Sequence, residues 1–129
     1  MLFRSPIKVK SKEAPAEAPP PLTIAFALKQ AELSDDMLPM LDQAITLAEA
    51  EPDLRLEIIG HTDDRPIATA TFPSNWELSA ARAASAARYL IAHGIASARI
   101  DVEGYADVRP LDAEARDANR RVEIRFSRR

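Results

Sequence analysis

The residue pattern predicts an α/β sandwich of order β-α-β-α-β-β, one mixed sheet with two main helices packed on one face. Three observations predict it. Four short segments alternate apolar and polar residues, the mark of strands with one buried side. Two longer segments place apolar residues at helical spacing. The helical segments fall between the first three strands, an order that lays helices across a sheet as connections.

The first strand is predicted at Leu22 to Leu28, where Leu22, Ile24, Phe26 and Leu28 share a face. Ser34, Asp35 and Asp36 then supply capping oxygens. Pro39 fits the first helical turn, where its missing N–H costs nothing, so Asp36 is the expected N-cap. The helix carries Met37, Leu41, Ala44 and Ala48 on its apolar face, flanked by Leu38 and Ile45, and Pro52 ends it. Leu54, Leu56 and Ile58 alternate with Arg55 and Glu57 in the second strand, which runs to Gly60.

Ser74 or Asn75 caps the second helix, predicted to reach about Ala92. Its expected apolar face is Trp76, Ala80, Ala83, Ala87 and Leu90, with Trp76 in the core. Asn75, Ser79 and Arg82 share an adjacent face. Gly94 stands where a left-handed C-terminal residue is expected. Ile100, Val102 and Gly104 form one face of a third strand. Asp107 to Ala118 reads as a polar loop with room for one helical turn. Val122, Ile124 and Phe126 alternate with charged residues in a fourth strand, read as open to an edge position and so to dimerisation.

Composition bounds the function. The 129 residues suit one domain, from 22 to 129, behind a tail from 1 to 21 that is basic and then Pro/Ala-rich. A net charge of -3 argues against a nucleic-acid binder, which would be basic. With no cysteine there is no disulfide framework and no thiolate metal site. No apolar run approaches the ~20 residues that cross a bilayer, and Met1 to Lys12 lacks the apolar core of a secretory signal. The expectation is a chain that stays inside the cell or is a piece of a longer one.

The chain is organised around Gly60 to Arg82. A strand end, a polar loop and a helix N-terminus meet there, and the acid pair Asp63 and Asp64 is expected to face Arg82. An acid can hold an ammonium group, and an arginine can grip a carboxylate with paired hydrogen bonds. Free N–H groups at the helix start add anion donors. A ligand with both charges, such as an amino acid, suits the pair. Other uses are weaker. Adjacent carboxylates on extended chain point apart, which disfavours hydrolysis by Asp63 and Asp64, and no Gly-x-Ser-x-Gly elbow is present. His61 lacks the companions of a metal site and is expected to brace the strand end through a hydrogen bond. No cofactor is indicated.

Several pieces together resemble the OmpA-like C-terminal domain family of peptidoglycan binders. They are Ala31-Glu32-Leu33, Gly60-His61-Thr62-Asp63, and Asn75 with Leu78-Ser79-Ala80-Ala81-Arg82-Ala83. After these come Gly104-Tyr105, Pro110 and Asn119-Arg120-Arg121-Val122-Glu123-Ile124. Asp64-Arg65-Pro66-Ile67 and the insert ending Phe72-Pro73-Ser74-Asn75-Trp76 are similar to the MotB-type flagellar stator branch. The resemblance implies a non-catalytic periplasmic module that anchors envelope machinery to peptidoglycan by recognising diaminopimelate. By motif, Asp63 would hold its ammonium and Arg82 its carboxylate, with Thr62 and Asn75 shaping the pocket. A membrane-anchored partner or parent chain is a further expected partner, and a homodimer stays open from the edge reading of the fourth strand. The alternative is a domain of the same fold that docks to a protein without binding cell wall. Two local departures are Ala106, where the family commonly has glycine, and the short segment from Leu111 to Asn119.

Overall fold

In the computed structural model, residues 18–111 and 114–128 are described, so most of the tail and residues 112–113 of the short segment lie outside the description. The strands are β1 (Leu22–Ala25), β2 (Leu54–His61), β3 (Ile100–Gly104) and β4 (Arg121–Arg128). The helices are α1 (Leu38–Ala50), α2 (Asn75–Ala92) and the single turn α3 (Arg116–Asn119). They form one mixed sheet in the order β1-β4-β2-β3. β4 runs antiparallel to both β1 and β2, whereas β2 and β3 are parallel. The parallel pair needs a crossover, and α2 provides it.

Both main helices cover one face. Leu22 and Ile24 of β1, Leu54, Leu56 and Ile58 of β2, and Val122, Ile124 and Phe126 of β4 point into this layer. Leu41, Ala44 and Ala48 of α1 and Ala83, Ala86, Ala87 and Leu90 of α2 meet them. The period-2 and helical patterns therefore converge on one core, as expected.

Five local expectations are corrected. β1 stops at Ala25, and Leu28 is 46% exposed, because the chain leaves the sheet for a turn in which Lys29 takes a φ of 62°. Asp36 does not cap α1. Entry begins earlier at Ser34, with a 3-10 turn at Asp35–Met37 that places Pro39 in the first turn of α1. Val102 is exposed because β3 is an edge strand, and α2 lies over only part of it. β4 is not an edge but lies between β1 and β2.

The fifth correction concerns α2. Trp76 is 53% exposed and Ala80 is exposed, while Ser79 and Arg82 are fully buried. The buried face is thus rotated towards the polar residues. Glycines in the sheet explain the rotation. A Cβ on Gly60 would lie 2.0 Å from the Ser79 carbonyl oxygen, and one on Gly104 would lie 2.7 Å from Ala80 N. Helix backbone rests directly on these two strand positions, so the residues facing them are drawn inside.

Candidate functional site

The predicted site lies where β2 ends and α2 begins. Thr62 and Asp63 follow the last strand residue, His61, and both are buried. Thr62 N donates to Ala106 O at 2.8 Å, which ties the loop to the turn after β3. Thr62 Oγ1 donates to Asp63 O at 2.9 Å. Ser74 caps α2, its hydroxyl accepting from Trp76 N at 3.2 Å. Asn75 donates from Nδ2 to Arg65 O at 3.0 Å and so pins the loop to the helix start.

Thr62, Asp63, Asn75 and Arg82 line one cavity together with Leu28, Lys29, Arg65 and Arg120. All four residues singled out in the sequence therefore converge. The cavity holds only about 20 Å³, room for about one water. Its rim is the Leu28–Lys29 turn and the exposed Arg65 side chain.

The electrostatic pairing differs from the expected one. Asp64 does not face Arg82. It is exposed and accepts a 2.7 Å hydrogen bond from Arg116 of α3, which holds its carboxyl below the usual range. Asp63 accepts from Arg65 N at 3.0 Å and from Arg120 Nη1 at 3.1 Å. Among the described residues no ion pair joins Asp63 to Arg82. Arg120 is the residue that sequence reasoning undervalued. It stands just before β4, and only the pairing of Arg121 with His61 brings it beside Asp63. Its Nε also donates to the loop backbone, to Phe26 O at 3.0 Å. Asn119 likewise accepts from Leu111 N at 2.7 Å.

Arg82 is committed to backbone. Nε donates to Gln30 O at 2.6 Å, Nη1 to His61 O at 2.9 Å and Nη2 to Ala27 O at 3.0 Å. Its guanidinium lies over the Phe26 ring, 5.4 Å from the centroid. Burial, helped by the Arg120 charge and opposed by Asp63, lowers its pKa to about 10, so it stays charged at neutral pH. A guanidinium carries five N–H groups. Three serve these carbonyls.

Ser79 supports this corner. Its hydroxyl donates to Trp76 O at 2.9 Å and accepts from Ala106 N at 3.0 Å. Ala106, noted above in a position that favours glycine, indeed has a φ of 52° and is buried. His61 departs from expectation. Neither ring nitrogen has a hydrogen-bond partner, and the nearest carboxylate oxygen, on Glu123, is 3.9 Å away. The imidazole braces the strand end by packing, with its ring 5.9 Å from that of Tyr105. Burial, reinforced by Arg121, lowers its pKa to about 4.

A model of the OmpA family matches residues 25–124. Motility protein B of Bacillus subtilis is 33% identical over 107 residues, covering 79% of this chain and 41% of that protein. Peptidoglycan-binding protein ArfA of Mycobacterium tuberculosis is 37% identical over 105 residues, covering 78% of this chain and 31% of that protein. The chain spans less than half the length of these two relatives. Among solved structures, the cell wall anchor of the T6SS from Pseudomonas aeruginosa is 38% identical with a TM-score of 0.70. That likeness covers 81% of this chain and 78% of that one. No described helix is long and apolar enough to cross a membrane.

Proposed function

Because this chain belongs to the OmpA family, we propose that it binds peptidoglycan non-covalently and anchors an envelope complex to the cell wall. It recognises the diaminopimelate of the stem peptide. Asp63 holds the ammonium group, Arg82 the carboxylate, and Thr62 and Asn75 shape the walls. The observation that carries this reading is one small cavity lined by a buried carboxylate and a buried guanidinium. The likeness to a peptidoglycan-binding protein and to a cell wall anchor supports it. The likeness to motility protein B makes a flagellar motor stator one candidate for the anchored complex, in the periplasm. The role is binding, without bond-making chemistry.

The cavity admits the ligand only after the Leu28–Lys29 turn or Arg65 swings away. Binding therefore includes a local opening, and the measured affinity is reduced by the cost of that opening.

A second reading has its own support. Arg82 is fully buried and bound to three carbonyls, which suits an internal tie as well as a ligand group. On that reading the domain keeps the fold and docks to a protein partner.

Co-sedimentation with peptidoglycan sacculi separates the two. The wild-type chain should pellet, free meso-diaminopimelate should compete, and Asp63→Asn, which keeps the shape of the side chain, should stay in solution while folded. Failure of the folded wild-type chain to pellet would reject wall binding and leave the docking reading. Pelleting by Asp63→Asn as strong as wild type would reject the site.

A further inference from the structure

The sheet has a second face, without helices, and it holds a larger cavity than the one at Asp63. This cavity measures about 520 Å³, within the usual range for a small-molecule site. The register explains its lining. His61 of β2 lies opposite Arg121 of β4, Ile59 opposite Glu123, and Glu57 opposite Arg125. On the other side Ile59 pairs with Glu103 of β3. Tyr105 and Arg109, beyond the end of β3, close one end.

Two residues at the floor are buried with polar capacity left over. His61 and Arg121 are 3% and 4% exposed. Among the described residues, both ring nitrogens of His61 and Nη1 of Arg121 have no hydrogen-bond partner. Leaving such buried groups unpaired is costly, and most buried polar atoms in proteins are paired. The cost is concentrated here, beside one cavity. Arg121 is nonetheless held in place, with Nε on Glu123 at 2.8 Å and Nη2 on Arg109 O at 3.3 Å. Arg109 lines the same cavity, its guanidinium 4.0 Å from the centroid of the Tyr105 ring.

The chemistry of the lining selects the ligand class. Arg109, Arg121 and Arg125 are matched by Glu57, Glu103 and Glu123, so the cavity has no net charge to select a simple ion. Its unpaired atoms are also mixed. Arg121 Nη1 can only donate, whereas neutral imidazole offers one donor and one acceptor. A carboxylate or phosphate would satisfy the donors and leave the imidazole acceptor bare. A hydroxyl both donates and accepts, and vicinal hydroxyls can serve arginine, imidazole and glutamate together.

We propose that the helix-free face of the sheet carries a second binding site, around His61 and Arg121, for a hydroxyl-rich saccharide. Entry moves the loop at Arg109, whose carbonyl accepts the long bond from Arg121 Nη2. The site's natural ligand, the glycan of the wall, rests on the wall-binding reading above; the site itself does not. The two sites are back to back, since the His61 carbonyl accepts from Arg82 while its ring lines the saccharide cavity.

The test is an NMR titration of the full 15N-labelled chain with a β-1,4-linked N-acetylglucosamine trimer. The signals followed are the His61 ring nitrogens and Arg121 Nε–H. Millimolar trimer should shift both, and the rim variant Glu57→Gln should weaken that binding by about tenfold, the loss of one charge-assisted hydrogen bond. Wild-type chain that is folded yet shows no shift at either residue would overturn the proposal. So would shifts produced by sodium acetate or inorganic phosphate but not by the trimer, which would make the cavity an anion site. A parallel titration with meso-diaminopimelate separates the two proposals. Trimer binding without diaminopimelate binding would remove only the Asp63–Arg82 site, and the reverse would remove only this one.

Discussion

Arg82 and Arg121 are both buried arginines at the same end of β2, one on each face of the sheet, and they are solved in opposite ways. On the helix-covered face, every nitrogen of Arg82 has a backbone carbonyl partner. On the open face, Arg121 pairs with Glu123 and keeps one Nη with no partner, beside an imidazole equally bare. The first arrangement closes the fold. Gln30 and Ala27 come from the turn after β1, and His61 from the end of β2, so one side chain of α2 ties together the ends of two strands. The second arrangement holds polar capacity in reserve. The difference teaches that burial of a charged residue has two meanings, and that the partner list decides between them.

Removing either side of the comparison should show this. The largest effect is expected for Arg82→Ala. It strands three carbonyls and opens a void against Phe26, so unfolding free energy should fall by about 3–5 kcal/mol in urea titrations. A loss below about 1 kcal/mol would mean that water readily replaces the guanidinium there.

On the open face the lever is pH. The His61 pKa is lowered to about 4 in the folded protein, against 6.5 for a free side chain. The unfolded chain therefore binds the proton more readily between those values. The His61 contribution is complete above pH 6.5 and is lost as pH falls towards 4, by about 3 kcal/mol. Urea midpoints across that window should show the fall, and His61→Gln should flatten it. An unchanged slope in the variant would assign the acid sensitivity to other groups.

The smallest effect is expected between the faces, at Ala106→Gly. A left-handed alanine costs about 1–2 kcal/mol, and the extra freedom of glycine in the unfolded chain takes back about 0.4–1. A gain of about 0.5 kcal/mol, read as a slightly raised Tm, is the expected outcome. A loss would mean that the Ala106 methyl, buried beside Ser79 and Thr62, contributes more through packing than its backbone strain costs.

Much of this architecture was legible in the residues, for physical reasons. Alternation in Leu54 to Ile58 and Val122 to Phe126 reports burial directly, and the caps and breakers Ser74, Pro39 and Gly94 mark element ends. The four site residues could be grouped because three flank one loop and the fourth lies two turns into the next helix. Arg120 could not be assigned to Asp63, since the pairing depends on the β2–β4 register across nearly sixty residues. Nor could the exposure of Trp76. Helical periodicity favoured a face with Trp76 and Ala80, but backbone contact with Gly60 and Gly104 turned Ser79 and Arg82 inward instead. Periodicity weighs side chains and is blind to where bare backbone permits approach. The open-face cavity was equally hidden, because Glu57, Glu103, Glu123 and the arginines read as a solvated polar side of each strand.

The strand β1 has a mechanical consequence. The chain preceding it joins the domain at Leu22, and β1 is only four residues long and lies at the sheet edge. Just past it, the carbonyls of Phe26, Ala27 and Gln30 are gripped by Arg120 and Arg82, two residues that line the Asp63 cavity. If the domain is held to the wall as proposed, tension applied through the residues before Leu22 would load the β1–β4 pairing first and then, within eight residues, the carbonyls held by these two arginines. The arginines act as the cleat on which that line is made fast.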